Sequence, residues 1–116
     1  MERLTIYQKP TCTTCRKVFE LLRESGVDFD AVDYYIDPIP KAKLKELLGK
    51  MGIRAGDLLR ANEPIYKTLG LGTAVRSESE LIDLMSKYPD LIQRPIVEKG
   101  KKAILARPPE RVREIL

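Results

Sequence analysis

At 116 residues, with 43% hydrophobic and 33% charged residues, the chain has the size and composition of one soluble domain with a single core. No stretch approaches the roughly 20 apolar residues that a membrane span needs, and the opening residues do not resemble a signal peptide. Two cysteines do not make a secreted disulfide scaffold, so we expect a cytoplasmic protein with no membrane contact.

The formal net charge of +4 does not indicate a nucleic-acid-binding protein. The 21 basic residues are mixed with 17 acidic ones, as on the solvated faces of helices, and no aromatic-studded basic strand of the RNA-binding kind is present. A mild positive excess suits a small anionic substrate equally well. We therefore expect no direct nucleic-acid partner.

The first third of the chain predicts a β-α-β unit. The short β-branched and aromatic run Leu4–Gln8 predicts a strand. From Thr13 onward apolar residues recur at helical spacing, and this predicted helix ends at Ser25 and Gly26. The alternating residues 28–35 predict a second strand, which runs parallel to the first because a helix connects the two.

The middle third predicts helices and the last third a hairpin. Ser77 followed by Glu80 has the spacing of a capping box at a helix start. After Pro95, residues 96–106 predict two short antiparallel strands joined by a turn at Lys99 and Gly100. The proline-rich residues 108–116 predict a final helix.

Taken together, these elements predict an α/β fold of the thioredoxin or glutaredoxin type. Such a domain has a four-stranded mixed sheet with a Cys-x-x-Cys pair after the first strand. We expect one domain over residues 1–116, with a helical insertion at about residues 40–89. We also expect a cis peptide bond between Arg94 and Pro95, at the turn that enters the third strand.

The two cysteines, Cys12 and Cys15, lie three residues apart in "KPTCTTCRK". A structural zinc site usually needs four nitrogen or sulfur ligands, and the chain has two thiols and no histidine, so we expect no metal. Two unrelated buried cysteines are the alternative, because a free cysteine often behaves as a small apolar residue. The position at a strand-to-helix junction favours a redox pair.

Within that pair, we expect Cys12 to be the nucleophile and Cys15 the resolving thiol. Cys12 lies at the predicted start of the helix, where free backbone N–H groups and the helix dipole stabilise a thiolate. Arg16 and Lys17 add positive charge nearby. Cys15 lies one turn further along, more shielded, and within reach of a disulfide with Cys12.

Three arginines lie at the predicted ends of elements instead of on helix faces: Arg60 in "LLRANEPIY", Arg94 in "LIQRPIVE" and Arg107 in "LARPPE". Guanidinium groups that converge hold a tetrahedral oxyanion through paired hydrogen bonds. Together with the opening "LTIYQKPTC", these stretches resemble, in this order and over essentially the whole chain, the glutaredoxin-like arsenate reductase family of the ArsC/Spx superfamily. The resemblance implies that Cys12 attacks arsenate and that the three arginines hold the oxyanion.

Two positions depart from that family's usual pattern. Gln8 stands where well-studied members often carry a histidine, which removes one contributor to thiol activation. Cys15 stands where members commonly lack a second cysteine. The sequence "CTTC" instead resembles the Spx-type transcriptional regulators of the same superfamily, which use the pair as a redox switch while bound to RNA polymerase. Those regulators share the stretch around Arg94, whereas Arg60 and Arg107 favour the reductase.

The expected reaction is therefore the reduction of arsenate or a similar oxyanion by thiols. Cys12 attacks arsenic, and a second thiol, from Cys15 or from glutathione, then attacks the Cys12 sulfur. The sequence has neither a phosphate-binding glycine-rich loop nor a dinucleotide fingerprint, so we expect no bound cofactor. The reductant is then an external thiol system, glutathione with glutaredoxin or thioredoxin. A general thiol–disulfide protein and a regulator that binds RNA polymerase remain as alternatives.

Overall fold

The computed structural model describes residues 3–73 and 75–116, which cluster into two compact units. The first unit contains the described residues up to Asp37 together with Arg94–Leu116, and the second contains Pro38–Gln93. The second unit covers the segment in which a helical insertion is predicted. That the whole chain forms a single domain stays a prediction.

The first unit is built on a four-stranded mixed sheet. Its strands are β1 (Leu4–Gln8), β2 (Phe29–Asp33), β3 (Ile96–Lys99) and β4 (Lys102–Leu105), in the order β2-β1-β3-β4. β1 runs parallel to β2 and antiparallel to β3, and β3 runs antiparallel to β4. This is the predicted sheet, and the predicted thioredoxin-like α/β fold is confirmed.

Strand β2 ends at Asp33, two residues before the predicted end at Tyr35. The alternation of polar and apolar residues continues through Tyr35, but the side chain of Asp33 turns the backbone aside. Its Oδ1 accepts a hydrogen bond from the Tyr35 amide at 3.0 Å, and its carbonyl accepts from the amides of Ile36 and Asp37. A local side-chain bond of this kind competes with strand continuation.

The helix after β1 is α1 (Thr13–Ser25), and its buried face joins the core of the first unit. It ends at Gly26, whose φ of +76° is a left-handed conformation that glycine adopts without steric cost. Each fully buried aliphatic side chain adds about 1.5–3 kcal/mol of stability. The buried cluster consists of Leu4, Ile6, Val18, Leu22, Val97, Ala106, Val112 and Ile115.

The second unit is helical, as predicted. It contains α2 (Lys41–Met51), α3 (Pro64–Thr68) and α4 (Glu78–Lys87). The predicted capping box at α4 is present, because the Ser77 hydroxyl accepts from the Glu80 amide at 3.1 Å and the Glu80 carboxylate accepts from Ser77. Over the described ranges, no helix has the length and apolar character that crossing a membrane requires.

Two further predictions concern prolines. The Arg94–Pro95 peptide bond is cis, as predicted, and the Arg107–Pro108 bond is cis as well. The final predicted helix is a short 3₁₀ helix at Pro109–Glu114 rather than an α-helix. The helix begins at Pro109, whose missing N–H costs nothing in a first turn.

Candidate active site

Cys12 is the N-cap residue of α1. Its backbone is extended, with φ −79° and ψ 127°, and its amide donates a hydrogen bond of 2.9 Å to the carbonyl of Lys9. Its sulfur accepts a hydrogen bond from the Cys15 amide at 3.4 Å. The N-cap position places the sulfur at the positive end of the helix dipole. The side chain is only partly buried, so the sulfur is also within reach of solvent.

The local contacts favour the thiolate form of Cys12. Burial by itself raises the pKa of Cys12, but hydrogen bonds from the Cys15 amide, from the Cys15 thiol and from the Arg94 side chain lower it to about 7. A free cysteine has a pKa of about 8.5. A large share of Cys12 is therefore ionised at neutral pH, as a nucleophile requires.

Cys15 has the opposite environment. It is completely buried in the first turn of α1, and burial raises the pKa of its thiol to about 12, with a further contribution from the neighbouring Cys12. Both cysteines are free thiols in the structure. The two sulfurs thus differ in exposure and in ionisation, in the direction that the sequence predicts, while their roles in a reaction stay predictions.

Arg94 is the cation that acts on Cys12. Its side chain is buried, with 7% of the residue exposed, and Nη1 donates to the Tyr35 hydroxyl at 3.3 Å. Burial alone lowers the pKa of Arg94, but the Cys12 sulfur and the side chains of Tyr34 and Tyr35 raise it above its ordinary value. Nε is buried without a hydrogen-bond partner in the part of the chain that the structure describes. Arg94 is therefore a fixed charge with a donor to spare.

Arg107 belongs to the same unit and binds Arg94 through the backbone. Its Nη1 donates to the Arg94 carbonyl at 3.0 Å, across the two cis proline turns. The structure thus brings Arg107 into contact with Arg94, and Arg94 into contact with Cys12. Apart from Cys15, three of the predicted site residues therefore form one connected group: Cys12, Arg94 and Arg107.

Arg60 lies in the second unit, and its guanidinium already has partners there. Nε makes an ion pair with Glu63 at 3.1 Å, and Nη1 donates to the Gln93 side chain at 2.8 Å. The side chains of Arg60 and Glu63 are only 19% and 21% exposed, so this pair is shielded from water. That Arg60 joins the other arginines around an oxyanion stays a prediction.

The sequence predictions missed two residues of this site. Tyr35 accepts the Arg94 hydrogen bond, and the ammonium of Lys9 lies 4.8 Å from the centre of its ring. The signal that would have found Tyr35 is its place just after the second of two parallel strands, since the carboxyl ends of such strands share one edge of the sheet. Among residues 3–73 and 75–116, no cluster of His, Cys, Asp or Glu is arranged to hold a metal ion.

The chain is similar to a known protein family, to relatives of known sequence and to solved structures. A family model described as the ArsC family matches residues 7–115. The arsenate reductase of Escherichia coli (strain K12) is 40% identical over 116 residues, which cover 100% of this chain and 82% of the relative. The protein YfgD of the same strain is also 40% identical, over 99% of this chain and 98% of that protein. The solved structure of the arsenate reductase from Vibrio cholerae has a TM-score of 0.94 and 34% identity, covering 99% of this chain and 98% of that one.

Proposed function

Because the chain belongs to the ArsC family, we propose that it is a thiol-dependent oxidoreductase that reduces arsenate or a similar oxyanion. The observation that carries the proposal is Arg94, a buried cation that lowers the pKa of Cys12 and whose Nε–H has no hydrogen-bond partner among the described residues. An anionic electrophile needs both a cation to bind it and a thiolate to attack it. The relatives named arsenate reductase make arsenate the first substrate to test.

In the first step, the oxyanion binds beside Cys12. The spare Nε–H of Arg94 donates to one oxygen, and the backbone N–H groups at the start of α1 offer further donors. Arg107, which donates to the Arg94 carbonyl, adds a second guanidinium in this proposal, and a contribution from Arg60 stays a prediction. The planar guanidinium groups suit a tetrahedral oxyanion because each presents paired donors.

In the second step, the Cys12 thiolate forms a sulfur–arsenic bond. One arsenic–oxygen bond breaks, and its oxygen leaves as water after protonation, so arsenic keeps its oxidation state. A second thiol then attacks the Cys12 sulfur. A sulfur–sulfur bond forms, the sulfur–arsenic bond breaks with its electron pair on arsenic, and arsenite leaves, so that two thiols together supply two electrons. External thiols reduce the disulfide and restore Cys12.

The environment of Cys15 favours an external thiol as that second attacker. Burial raises the pKa of Cys15 to about 12, so its thiol is protonated at neutral pH. The buried side chain is also shielded from solvent. Bonding of Cys12 to arsenic removes one negative charge that contributes to this shift, but the burial remains. Glutathione with glutaredoxin, or thioredoxin, in a reducing cytoplasm is the reductant that we propose.

The test is steady-state reduction of arsenate with glutathione plus glutaredoxin, and separately with thioredoxin. We expect turnover by the wild type, none by Cys12→Ser, and most of the wild-type rate by Cys15→Ser. A Cys15→Ser variant as inactive as Cys12→Ser would make Cys15 the resolving thiol. Absence of wild-type turnover with either donor system would contradict the proposed function.

A general thiol–disulfide exchange protein is the second candidate. The 3.4 Å bond from the Cys15 amide to the Cys12 sulfur, and the unlike pKa values of the two thiols, favour it. Such a protein reduces a disulfide-bonded peptide and does not need Arg94 to bind an anion. Reduction of a disulfide peptide that survives Arg94→Ala, with no arsenate turnover by the wild type, would select this candidate.

A further inference from the structure

We propose that Tyr35 is a positioning residue of the candidate active site, which holds the Arg94 guanidinium with its hydroxyl and the Lys9 ammonium with its ring. The inference rests on the proposed function for what Arg94 does to an oxyanion. The effect of Tyr35 on the Cys12 thiol does not depend on any substrate. The inference is therefore testable with and without arsenate.

The backbone of Tyr35 is fixed beside the cysteine loop by the sheet. Gln8, the last residue of β1, pairs with Asp33, the last residue of β2, so the segments that follow the two strands leave from the same edge. The Asp33 carboxylate accepts the Tyr35 amide at 3.0 Å, which sets the turn. Tyr34 is buried with 1% of its surface exposed and anchors that turn in the first unit.

The side chain of Tyr35 contacts two cations. Its hydroxyl lies 3.3 Å from Arg94 Nη1, and its ring centre lies 4.8 Å from Lys9 Nζ. Both contacts reach the nucleophile. The carbonyl of Lys9 accepts a hydrogen bond from the Cys12 amide, and the Arg94 side chain lowers the pKa of Cys12. Tyr35 thus contacts both Lys9, in the loop before Cys12, and Arg94.

The chemistry of this contact explains why a tyrosine suits the position. A carboxylate partner would hold Arg94 equally well, but it would cancel the positive charge that an anion needs. A neutral hydroxyl accepts the hydrogen bond and leaves the charge in place. The Tyr35 ring likewise attracts the Lys9 ammonium without neutralising it. Tyr35 thus fixes the geometry of both cations without neutralising either, and the effect of Arg94 on Cys12 is preserved.

The test compares Tyr35→Phe and Tyr35→Leu with the wild type. Phenylalanine removes the hydroxyl and keeps the ring, whereas leucine removes both contacts. The matched control is Tyr88→Phe in the second unit, since Tyr88 also carries a lysine ammonium, that of Lys87, over its ring at 5.4 Å. The measurements are the pH dependence of Cys12 alkylation by iodoacetamide, located by peptide mass, and the kcat and KM for arsenate.

We expect Tyr35→Phe to move the alkylation midpoint of Cys12 to higher pH, with about threefold slower alkylation at pH 7. We expect the KM for arsenate to rise about tenfold, because a displaced Arg94 binds the anion less well, while kcat changes less. Tyr35→Leu should exceed both effects, since it releases Lys9 as well. Tyr88→Phe should leave both measurements at the wild-type value.

A wild-type alkylation midpoint in both Tyr35 variants would overturn the inference. A fall in kcat/KM that parallels a lower melting temperature, with the midpoint unchanged, would also overturn it, because that result describes a structural role only. If the wild type reduces no arsenate, the proposed function fails, but the alkylation midpoint alone still decides whether Tyr35 positions Arg94.

Discussion

Arg94 and Arg60 differ in how their charges are compensated, although the sequence places both at the ends of elements. In the first unit, Arg94 donates a hydrogen bond to the neutral hydroxyl of Tyr35 and lowers the pKa of Cys12. In the second unit, Arg60 is held by the carboxylate of Glu63 and the amide of Gln93, in a pair that is about four-fifths buried. No carboxylate is described beside the Arg94 guanidinium, whose contact is a neutral hydroxyl. The charge of Arg60 is largely compensated by the Glu63 carboxylate.

This difference in charge compensation distinguishes an arginine that can bind an anion from one that forms a structural ion pair. A guanidinium with a buried spare donor gains by binding an anion, because that donor otherwise remains unsatisfied. A guanidinium in a shielded ion pair must give up part of that pair or share it. We therefore expect the two arginines to contribute unequally to turnover, and the following variants measure the inequality.

The largest effect belongs to Arg94. Arg94→Ala should lower kcat/KM for arsenate about 100-fold, since it removes a charge-assisted hydrogen bond to the anion and also the cation beside the thiolate. Arg94→Lys should recover only part of that loss, because a point charge lacks the planar pair of donors. The control is Arg111→Ala, which removes an exposed arginine of the first unit that pairs with Glu114. Equal rates for Arg94→Ala and the control would contradict this role.

The second effect is on the ionisation of Cys12. The pKa of Cys12 is lowered to about 7 in part by Arg94, so the loss of that cation should raise the midpoint of alkylation toward about 8.5. At pH 7 the thiolate fraction should fall about 15-fold, and the alkylation rate should fall with it. Below about pH 6 the alkylation rate of both proteins should fall about tenfold per pH unit, because both thiols are then mostly protonated. A midpoint that does not move in Arg94→Ala would place the cause of the shift in the helix start alone.

The third comparison sets Arg107 against Arg60. Arg107→Ala should lower kcat/KM about tenfold, partly because its Nη1 no longer holds the Arg94 carbonyl. Arg60→Ala should lower it by a similar or smaller factor if Arg60 shares the oxyanion. The two single variants and the double variant form a cycle, measured as arsenate turnover. Full activity of Arg60→Ala would remove Arg60 from the pocket and leave Arg94 and Arg107 in place.

The smallest expected effect tests the ion pair of Arg60 directly. Glu63→Gln neutralises the carboxylate and frees the charge of Arg60, so the KM for arsenate should fall about two- to threefold if Arg60 binds the anion. The control is Glu46→Gln, which breaks more exposed ion pairs in the same unit, with Lys43 at 3.3 Å and with Lys50 at 2.8 Å. An unchanged KM in both variants would indicate that Arg60 is a structural residue of its own unit.

The sequence was most informative where a local pattern determines the structure. The strand-to-helix junction placed Cys12 at the start of α1, and the same reasoning separated its pKa from that of the buried Cys15. The end of β2 was predicted two residues too late, because alternation is a property of side chains whereas the turn at Asp33 is made by a hydrogen bond to the backbone. That error also concealed Tyr35, because the alternation assigns it to the strand.

The contacts between individual side chains were harder to predict from the sequence. Arg60 and Glu63 lie three residues apart, a spacing at which an ion pair can form. The prediction for Arg60 depended instead on its place at the end of an element and on the resemblance of "LLRANEPIY" to the family. The contact of Arg94 with Tyr35 joins residues 59 positions apart, and no periodicity of one element predicts it. The pairing of β1 with both β2 and β3 makes these residues neighbours.

The N-cap position of Cys12 couples chemistry to the local dynamics of α1. Its sulfur is the acceptor for the Cys15 amide, so any bond formed at that sulfur, to arsenic, to a second thiol or to an alkylating reagent, weakens the cap. Loss of a helix cap costs about 1 kcal/mol, which raises the opening of the first turn about fivefold. The exchange of the Cys15 amide proton with deuterated water should therefore accelerate when Cys12 is modified. That single amide is a built-in reporter of the state of the nucleophile, readable without following any product.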